Sequence, residues 1–405
     1  MKLNPLSTRA IELMDAWKHA DGILTSYDEI ILKSHAVRRR FEKKLVQNMK
    51  LALDRAGILH GGLKRGGGRI FVEVEDVERA LYVLRRIFGI SWLAPAYRLR
   101  TTKIEEILKF CRENHGNWIS EGKTFAVRAR RVGVKEYNSI ELAKQVGKVI
   151  ERNVDLKSPD VEIFVEARGD QTYVYSLKIK GPGGLPLGTQ GSVVALISGG
   201  IDSPVAAWML MKRGASIIAL YAHSGISRDS FMRFIEVMKV LKEWHVGEQI
   251  RAFVYRESYD VSLLRPDEIK YAYILERRIM LRVANALAER LRAKAIVTGE
   301  DLGQVSSQTL DNIATIDEAS KLPVLRPLIG MNKLEIVNLA KSIGTYEVSI
   351  RKVTSECGTL PICVKKPATK AKLERIKEIE EKLDIDRAVE RALSSLEDIT
   401  RFIQS

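Results

Sequence analysis

Two glycines, two serines and one acid lie together in the segment VVALISGGIDSPVAAWML, residues 193–210. The apolar run before them predicts a β-strand, and the apolar run after them predicts an α-helix. Gly199 and Gly200 would let backbone N–H groups approach a ligand, while the helix start would present unpaired N–H groups and the positive end of its dipole. Ser198 and Ser203 add hydroxyl donors. The segment therefore predicts a phosphate-binding turn, with an ordinary structural turn as the alternative.

This segment lacks the defining residues of two common nucleotide sites. A Walker loop needs a lysine near its end, and none is present; the dinucleotide pattern G-x-G-x-x-G is absent as well. Asp202 is the unusual residue, because a carboxylate beside a phosphate is unfavourable unless Mg²⁺ or a hydrogen bond engages it. Its alternative role is to cap the helix N-terminus, where aspartate is favoured.

Cys357 and Cys363 form a second chemical feature, in SECGTLPICVKKPATK. Clustered cysteines in a reducing compartment indicate redox chemistry, a metal or persulfide transfer more than a structural disulfide. Basic neighbours would favour the thiolate, which is the form that attacks sulfur. The C-x5-C spacing is a weak metal signature, and an iron–sulfur cluster is an alternative that the sequence leaves open. The third cysteine, Cys111, is expected to be a buried, small apolar residue.

The chain of 405 residues is longer than one hydrophobic core usually organises, so two or three domains are expected. Its 45% hydrophobic and 29% charged residues are typical of a globular protein, and no apolar run approaches the ~20 residues of a membrane span. The N-terminus lacks the apolar core and cleavage site of a secretory signal. Three cysteines do not make a disulfide framework. We therefore expect a cytoplasmic protein in a reducing compartment, with no membrane partner.

The formal net charge of +15 favours a polyanionic partner. Residues 1–180 carry about +11 of this charge and residues 181–405 about +4. Basic runs such as RRRFEKK (38–44) and RARRVG (128–133) lie in the first part, and such clusters bind phosphates without reading sequence. The asymmetry predicts a nucleic-acid-binding half attached to a less basic half. A basic host proteome or a charge-rich, thermostable surface is the alternative.

The predicted elements change type at a Gly- and Pro-rich segment, KIKGPGGLPLGTQG. Before it, residues 23–95 and 96–180 each resemble a small α+β domain, following an extension over residues 1–22. After it, the strands VVALI, SIIALYAH, QIRAFVY and AKAIVTGE alternate with helical segments over residues 192–405. That alternation predicts an α/β fold with a Rossmann-like, doubly wound parallel sheet, and residues 181–191 form the predicted linker.

The pyrophosphate-loop signature SGGxDS of ATP pyrophosphatases resembles the segment SGGIDSPVAAWMLMKRG. Two further segments, TGEDLGQVSSQTLDNI and RPLIGMNKLEIVNLAKSIGTYE, resemble the 4-thiouridine synthetase family of tRNA sulfurtransferases. That family is also linked to thiazole formation. That family's THUMP RNA-binding domain is similar to FAVRARRVG and DLKSPDVEIFVEARGDQTYVYS, and its ferredoxin-like domain to DEIILKSHAVRRRFEKKLVQNMKLAL. The resemblance spans roughly residues 23–370 and implies a sheet of the adenine nucleotide α-hydrolase type.

The resemblance implies a role for each matching position. The pyrophosphate and its Mg²⁺ would be held by Ser198, Gly199, Gly200, Asp202 and Ser203. The rest of the nucleotide would be held by Leu196, Ile197, Tyr221, Ala222, Arg277, Gly299 and Gln308. The catalytic positions would be Asp202, Lys333 and Cys357, with Cys363 as a candidate second thiol. No separate metal-ligand set is assigned, and Arg277 and Lys333 would otherwise be ordinary solvated charges.

The reaction that the resemblance implies uses ATP and Mg²⁺ as cofactors and tRNA as substrate. ATP would adenylate the C4 oxygen of a uridine, expected at position 8, and sulfur would replace that oxygen. The donor would be a cysteine desulfurase persulfide or free sulfide, because too few residues follow Cys363 for the rhodanese domain of many bacterial relatives. A homodimer is left open.

Three other functions are alternatives. They are sulfur transfer to a carrier protein for thiazole synthesis, an RNA-binding protein with a degenerate ATPase domain, and a pyrophosphate-loop ligase that would need an ammonia source.

Overall fold

The computed structural model describes residues 17, 19–223, 228–256, 260–352 and 364–404. The chain separates into two compact units, with the boundary between Pro186 and Leu187. Within the described ranges, no helix is long and apolar enough to cross a membrane. The boundary between the two units lies inside the Gly- and Pro-rich segment noted in the sequence. Several glycines of that segment adopt positive φ angles, which favour glycine over other residues.

The first unit is built from nine strands and four helices among the described residues. The strands are β1 Gly22–Ser26, β2 His60–Gly66, β3 Arg69–Val74, β4 Trp92–Leu99, β5 Thr124–Val132, β6 Asn153–Val154, β7 Val161–Arg168, β8 Gln171–Tyr175 and β9 Ile179–Lys180. The helices are α1 His35–Arg55, α2 Val77–Leu84, α3 Ile104–Trp118 and α4 Ser139–Val149. Side-chain caps fix two helix starts, since Asp76 and Asn138 each accept a hydrogen bond from a backbone N–H three residues on.

Strand β4 makes these strands one continuous sheet, in the order β2-β3-β1-β4-β8-β7-β5-β6 with β9 also on β4. Its first residues pair with β1, and Tyr97 to Leu99 pair with β8. The boundary predicted between residues 95 and 96 therefore falls inside a strand. Cys111 on α3 is fully buried, as expected, and burial raises the pKa of its thiol to about 12.

The second unit contains a six-stranded sheet among the described residues. Its strands are β10 Ser192–Leu196, β11 Ser216–His223, β12 Arg251–Arg256, β13 Ile296–Val297, β14 Val324–Leu325 and β15 Glu397–Asp398. They lie in the order β14-β13-β10-β11-β12-β15, and every neighbouring pair is parallel except β12 with β15. The helices are α5 Asp202–Lys212, α6 Arg228–Trp244, α7 Ala272–Leu291, α8 Leu310–Asp317, α9 Lys333–Ile343, α10 Tyr346–Ser349, α11 Leu373–Lys382, α12 Ile385–Ser394 and α13 Thr400–Gln404.

The central strands of this sheet are buried on both faces. Val194 and Leu196 belong to the same apolar cluster as α7, whereas Val193 and Ala195, which point the opposite way, are also buried. A parallel strand covered on both sides is typical of the doubly wound α/β class. The predicted fold class is thus confirmed.

Residues beyond about 370, which lie outside the family resemblance noted in the sequence, are an integral part of this unit. Arg278 of α7 is fully buried and donates to Glu380 of α11 at 2.8 Å and to Glu318 at 2.9 Å. Strand β15 adds an antiparallel edge to β12. The C-terminal helices therefore brace the long helix that runs beside the candidate site.

Candidate functional site

The predicted phosphate-binding turn connects β10 to α5. Its shape is held by short-range hydrogen bonds: the Ser198 N–H donates to Ser203 Oγ at 2.9 Å, and the Gly200 N–H donates to Ser198 Oγ at 3.2 Å. The turn follows the carboxyl end of a central parallel strand, which is where doubly wound folds bind ligands. The loop is thus preorganised, with helix α5 beginning directly behind it.

Two glycines of the predicted set pack closely around this loop, Gly199 against the Arg233 side chain and Gly299 against the loop backbone. A Cβ atom at Gly199 would lie 2.7 Å from Arg233 Nε, and one at Gly299 would lie 2.5 Å from the backbone nitrogen of Ser203. Real Cβ atoms do not approach other atoms so closely. These contacts place the loop against α6 on one side and against the residues after β13 on the other.

A cavity of about 620 Å³ opens over the loop. It is lined by all the residues predicted to hold a nucleotide: Leu196, Ile197, Ser198, Gly199, Gly200, Asp202, Ser203, Tyr221, Ala222, Arg277, Gly299 and Gln308. Cavities of this size are typical of sites for nucleotide-sized ligands. The fold therefore brings together positions that are spread over more than a hundred residues of sequence.

Asp202 and Lys333 form an ion pair at the mouth of the loop. Lys333 Nζ donates to Asp202 Oδ1 at 2.5 Å, although the two residues are 131 positions apart. Lys333 is the first residue of α9, whose start is fixed by a capping box between Asn332 and Glu335. The N-cap position of α5 is Ile201, and the partner that the structure gives the Asp202 carboxylate is Lys333. Asp202 is therefore directed at Lys333 in place of a capping role.

Asp301 and Gln304 extend this pair, and the sequence analysis did not identify them. In the amide orientation that satisfies both neighbours, Gln304 Nε2 donates to Asp301 Oδ1 at 3.0 Å and Gln304 Oε1 accepts from Lys333 Nζ at 3.1 Å. Burial and the negative charge of Asp202 raise the pKa of Asp301. The sequence signal was the acid and amide within EDLGQ, next to Gly299.

The nucleotide positions away from the loop differ in how they meet the cavity. The Tyr221 ring is only 6% exposed and stacks on Phe234 with 4.6 Å between centroids, so its aromatic face is engaged within the protein. Arg277 lines the cavity, and its Nη1 contacts Met280 Sδ at 3.4 Å, so it is not simply a solvated charge on a helix surface. Gln308 accepts from the Val305 N–H at 3.3 Å.

A second charged group in the cavity wall was also missed by sequence reasoning. Arg326 is nearly buried and donates to Glu300 at 2.7 Å and to both oxygens of Asp317, at 2.9 and 2.5 Å. Thr298 Oγ1 donates to Glu300 Oε2 at 3.0 Å. This network holds the end of β13 beside the loop, and its two carboxylates fully neutralise the charge of Arg326.

The two candidate cysteines, Cys357 and Cys363, lie outside the described residues. The chain that leads toward them is described as far as Lys352, and it is attached to the loop. Ser349 Oγ donates to the Gly200 carbonyl at 3.0 Å. Within the described ranges, no group of three or more His, Cys, Asp or Glu side chains is placed to hold a metal ion.

The loop lies at the carboxyl end of a parallel strand with an acid–lysine pair at its edge, which is the arrangement of a nucleotide-binding α/β domain, and its SGGIDS sequence resembles the ATP pyrophosphatase signature. Family models match each part of the chain. The model described as "Thiamine biosynthesis protein (ThiI)" matches residues 188–385, the ThiI ferredoxin-like domain matches residues 22–94, and the THUMP domain matches residues 101–177.

Relatives that match about 90% of the chain indicate the same family. A Saccharolobus islandicus protein named "Probable tRNA sulfurtransferase" is 38% identical over 370 residues, which are 90% of this chain and 96% of that protein. One of the same name from Caldanaerobacter subterraneus subsp. tengcongensis is 39% identical over 383 residues, covering 91% and 97%. A crystal structure of a 4-thiouridine synthetase–RNA complex with bound ATP is 33% identical, with a TM-score of 0.82 and coverage of 94% and 100%. The chain belongs to the tRNA sulfurtransferase family.

Proposed function

We propose that this protein is an ATP-dependent tRNA sulfurtransferase that converts a uridine of tRNA, at position 8, to 4-thiouridine. The observation that carries the proposal is the cavity over the SGGIDS loop, where twelve predicted nucleotide-binding positions meet beside the Asp202–Lys333 pair. The solved 4-thiouridine synthetase complex, which contains both RNA and ATP, supports the same pair of substrates for this chain.

The residues present fit the triphosphate of ATP. The N-terminus of α5 would face the phosphates, and the Ser198 and Ser203 hydroxyls, which hydrogen-bond each other at 3.1 Å, lie beside it. The backbone of Ser203 leaves no room for a side chain at Gly299. Asp202 would hold Mg²⁺, which supplies screening of the phosphate charges. Lys333, released from part of its ion pair, would face the developing negative charge of the reaction.

The reaction has two chemical steps. In the first, the C4 oxygen of the uridine attacks the α-phosphorus of ATP and pyrophosphate leaves. The C4 oxygen, which is a poor leaving group by itself, can then leave as part of AMP. In the second, sulfur attacks C4 and AMP departs with the former C4 oxygen. The contribution of the protein is alignment and charge stabilisation, and the uridine must be unstacked to reach the cavity.

The first unit would supply tRNA binding. Arg128, Arg130 and Arg131 are exposed on β5, where Arg128 also pairs with Glu162, and Arg39 and Arg40 are exposed on α1. Clusters of this kind neutralise phosphates and recognise RNA by shape. The THUMP family match over residues 101–177 supports this assignment.

The sulfur would be delivered at Cys357. Ser349 joins the chain that precedes this cysteine to the phosphate loop, which supports attack near the adenylated uridine. The donor is proposed to be a cysteine desulfurase persulfide or free sulfide. In the persulfide route, the outer sulfur on Cys357 would bond to C4 as AMP leaves, and the Cys363 thiolate would then attack the Cys357 sulfur. That attack releases thiouridine and leaves a Cys357–Cys363 disulfide, which an external thiol reductant must reduce before the next turnover.

The test is the thiouridine content of tRNA after incubation with the protein, MgATP and sulfide. We expect thiouridine to form only when ATP is present, with one AMP and one pyrophosphate released per thiouridine. ATP–pyrophosphate exchange without thiolation of tRNA would favour the second candidate, sulfur transfer to a carrier protein for thiazole synthesis, which the ThiI family description suggests. Absence of any nucleotide turnover would contradict both.

A further inference from the structure

Arg233 is a cavity-lining cation whose charge the described protein does not balance. Among the described residues, the arginines that line the cavity are Arg233, Arg277, Arg326 and Arg351. Arg326 pairs with Glu300 and Asp317, and Arg351 pairs with Glu236. Within those same ranges, no carboxylate lies at ion-pair distance from Arg233 or Arg277. Arg277 matches a nucleotide position of the family, whereas Arg233 was not indicated by any motif.

The position of Arg233 is set by the phosphate loop and by the chain after α10. The Arg233 side chain lies directly against Gly199, where a Cβ would be 2.7 Å from Nε and 3.0 Å from Cγ. Its Nη1 donates to the carbonyl of Arg351 at 3.1 Å and, more weakly, to that of Ser349 at 3.4 Å. The guanidinium is therefore held at the loop by backbone carbonyls, which orient it without neutralising it.

The guanidinium also keeps unused donors. A guanidinium has five N–H groups, and the contacts above occupy Nη1. Its Nε is buried and has no hydrogen-bond partner in the described protein. A buried, charged N–H without an acceptor is unfavourable, and an oriented arginine fork suits the oxygens of a phosphate.

We propose that Arg233 binds the β and γ phosphates of ATP, the part that leaves as pyrophosphate. This inference rests on the proposed function, because it requires that the cavity take ATP. Arg233 contacts Gly199 of the loop predicted to hold the pyrophosphate, and it lies on α6, which no predicted site residue occupies. The protein thereby has a second cation at the leaving group in addition to Lys333.

The experiment compares Arg233→Gln with Arg233→Lys and with Lys239→Gln, which removes one exposed charge from the same helix. Calorimetric titrations would use adenosine 5′-(α,β-methylene)triphosphate, pyrophosphate and AMP, each with Mg²⁺. In Arg233→Gln, losing a charge-assisted hydrogen bond should lower the affinity for the triphosphate analogue and for pyrophosphate by about 10- to 100-fold. AMP lacks the β and γ phosphates, so its affinity should change by less than about threefold.

The remaining variants and outcomes separate binding from structure. Arg233→Lys keeps the charge but loses the fork, so its loss should be intermediate, and Lys239→Gln should match the unaltered protein. Equal losses for AMP and the triphosphate, or no loss at all, would overturn the proposal. If the unaltered protein failed to bind the triphosphate analogue, the proposed function itself would fall. Thermal unfolding without nucleotide checks that each variant is folded.

Discussion

Replacing Asp202 with asparagine separates the stability of this site from its chemistry. The carboxylate and the Lys333 ammonium are 2.5 Å apart, yet their side chains are 25% and 42% exposed. Partly exposed ion pairs contribute about 0–1 kcal/mol, and asparagine retains an oxygen that accepts a hydrogen bond from Lys333. We therefore expect Asp202→Asn to lower the free energy of unfolding by about 0.5 kcal/mol or less.

The effect on thiolation should be far larger. Asparagine cannot neutralise Mg²⁺ and leaves the Lys333 charge unbalanced, so the electrostatic arrangement around the phosphates changes during the reaction. Removing one such group typically costs about 10²–10³ in kcat, and we expect thiouridine formation to fall by at least that factor. Binding of tRNA should remain nearly unchanged, because the basic clusters lie in the first unit.

The assays are urea unfolding, thiouridine yield with saturating MgATP and sulfide, and a tRNA binding titration. Asp267→Asn is the matched control, because Asp267 forms an exposed ion pair with Arg265 at 3.3 Å and does not line the cavity. Thiolation by Asp202→Asn within tenfold of the unaltered protein would refute the assignment of the phosphate loop. A large loss of stability in that variant would refute the treatment of the pair as an exposed ion pair.

Three further outcomes are expected. Gly299→Ala places a Cβ 2.5 Å from the Ser203 nitrogen and should lower stability by about 1–3 kcal/mol in urea unfolding, whereas Gly330→Ala, with open space around it, should be silent. The affinity for tRNA should fall at least about tenfold between 50 and 200 mM salt in a binding titration, because phosphate neutralisation releases counterions; salt-independent binding would contradict the RNA surface. Cys357→Ser should abolish thiolation with a persulfide donor, and Cys363→Ser should be silent with free sulfide. In the persulfide route, peptide mass mapping after one turnover without reductant should find a Cys357–Cys363 disulfide, and free thiols at both positions would exclude that route.

Local sequence determined much of this protein. Short-range patterns suffice for the β10–loop–α5 unit, since an apolar run, two glycines and a second apolar run specify a strand, a turn and a helix by local preferences alone. The parallel class of the second sheet followed from the alternation of strands and helices, and the burial of Cys111 followed from its residue type.

Tertiary structure decided what the loop faces. The contacts of Asp202 with Lys333, of Gly199 with Arg233 and of Gly299 with Ser203 join residues that no local pattern links, because their distances depend on how the strands are ordered in the sheet. The joining of two predicted domains into one sheet through β4 is likewise a matter of pairing between distant strands. Sequence by itself determined which residues could bind a phosphate. Only the packed fold decided which charges are balanced by neighbours and which remain available to a ligand, because charge balance depends on distances in space.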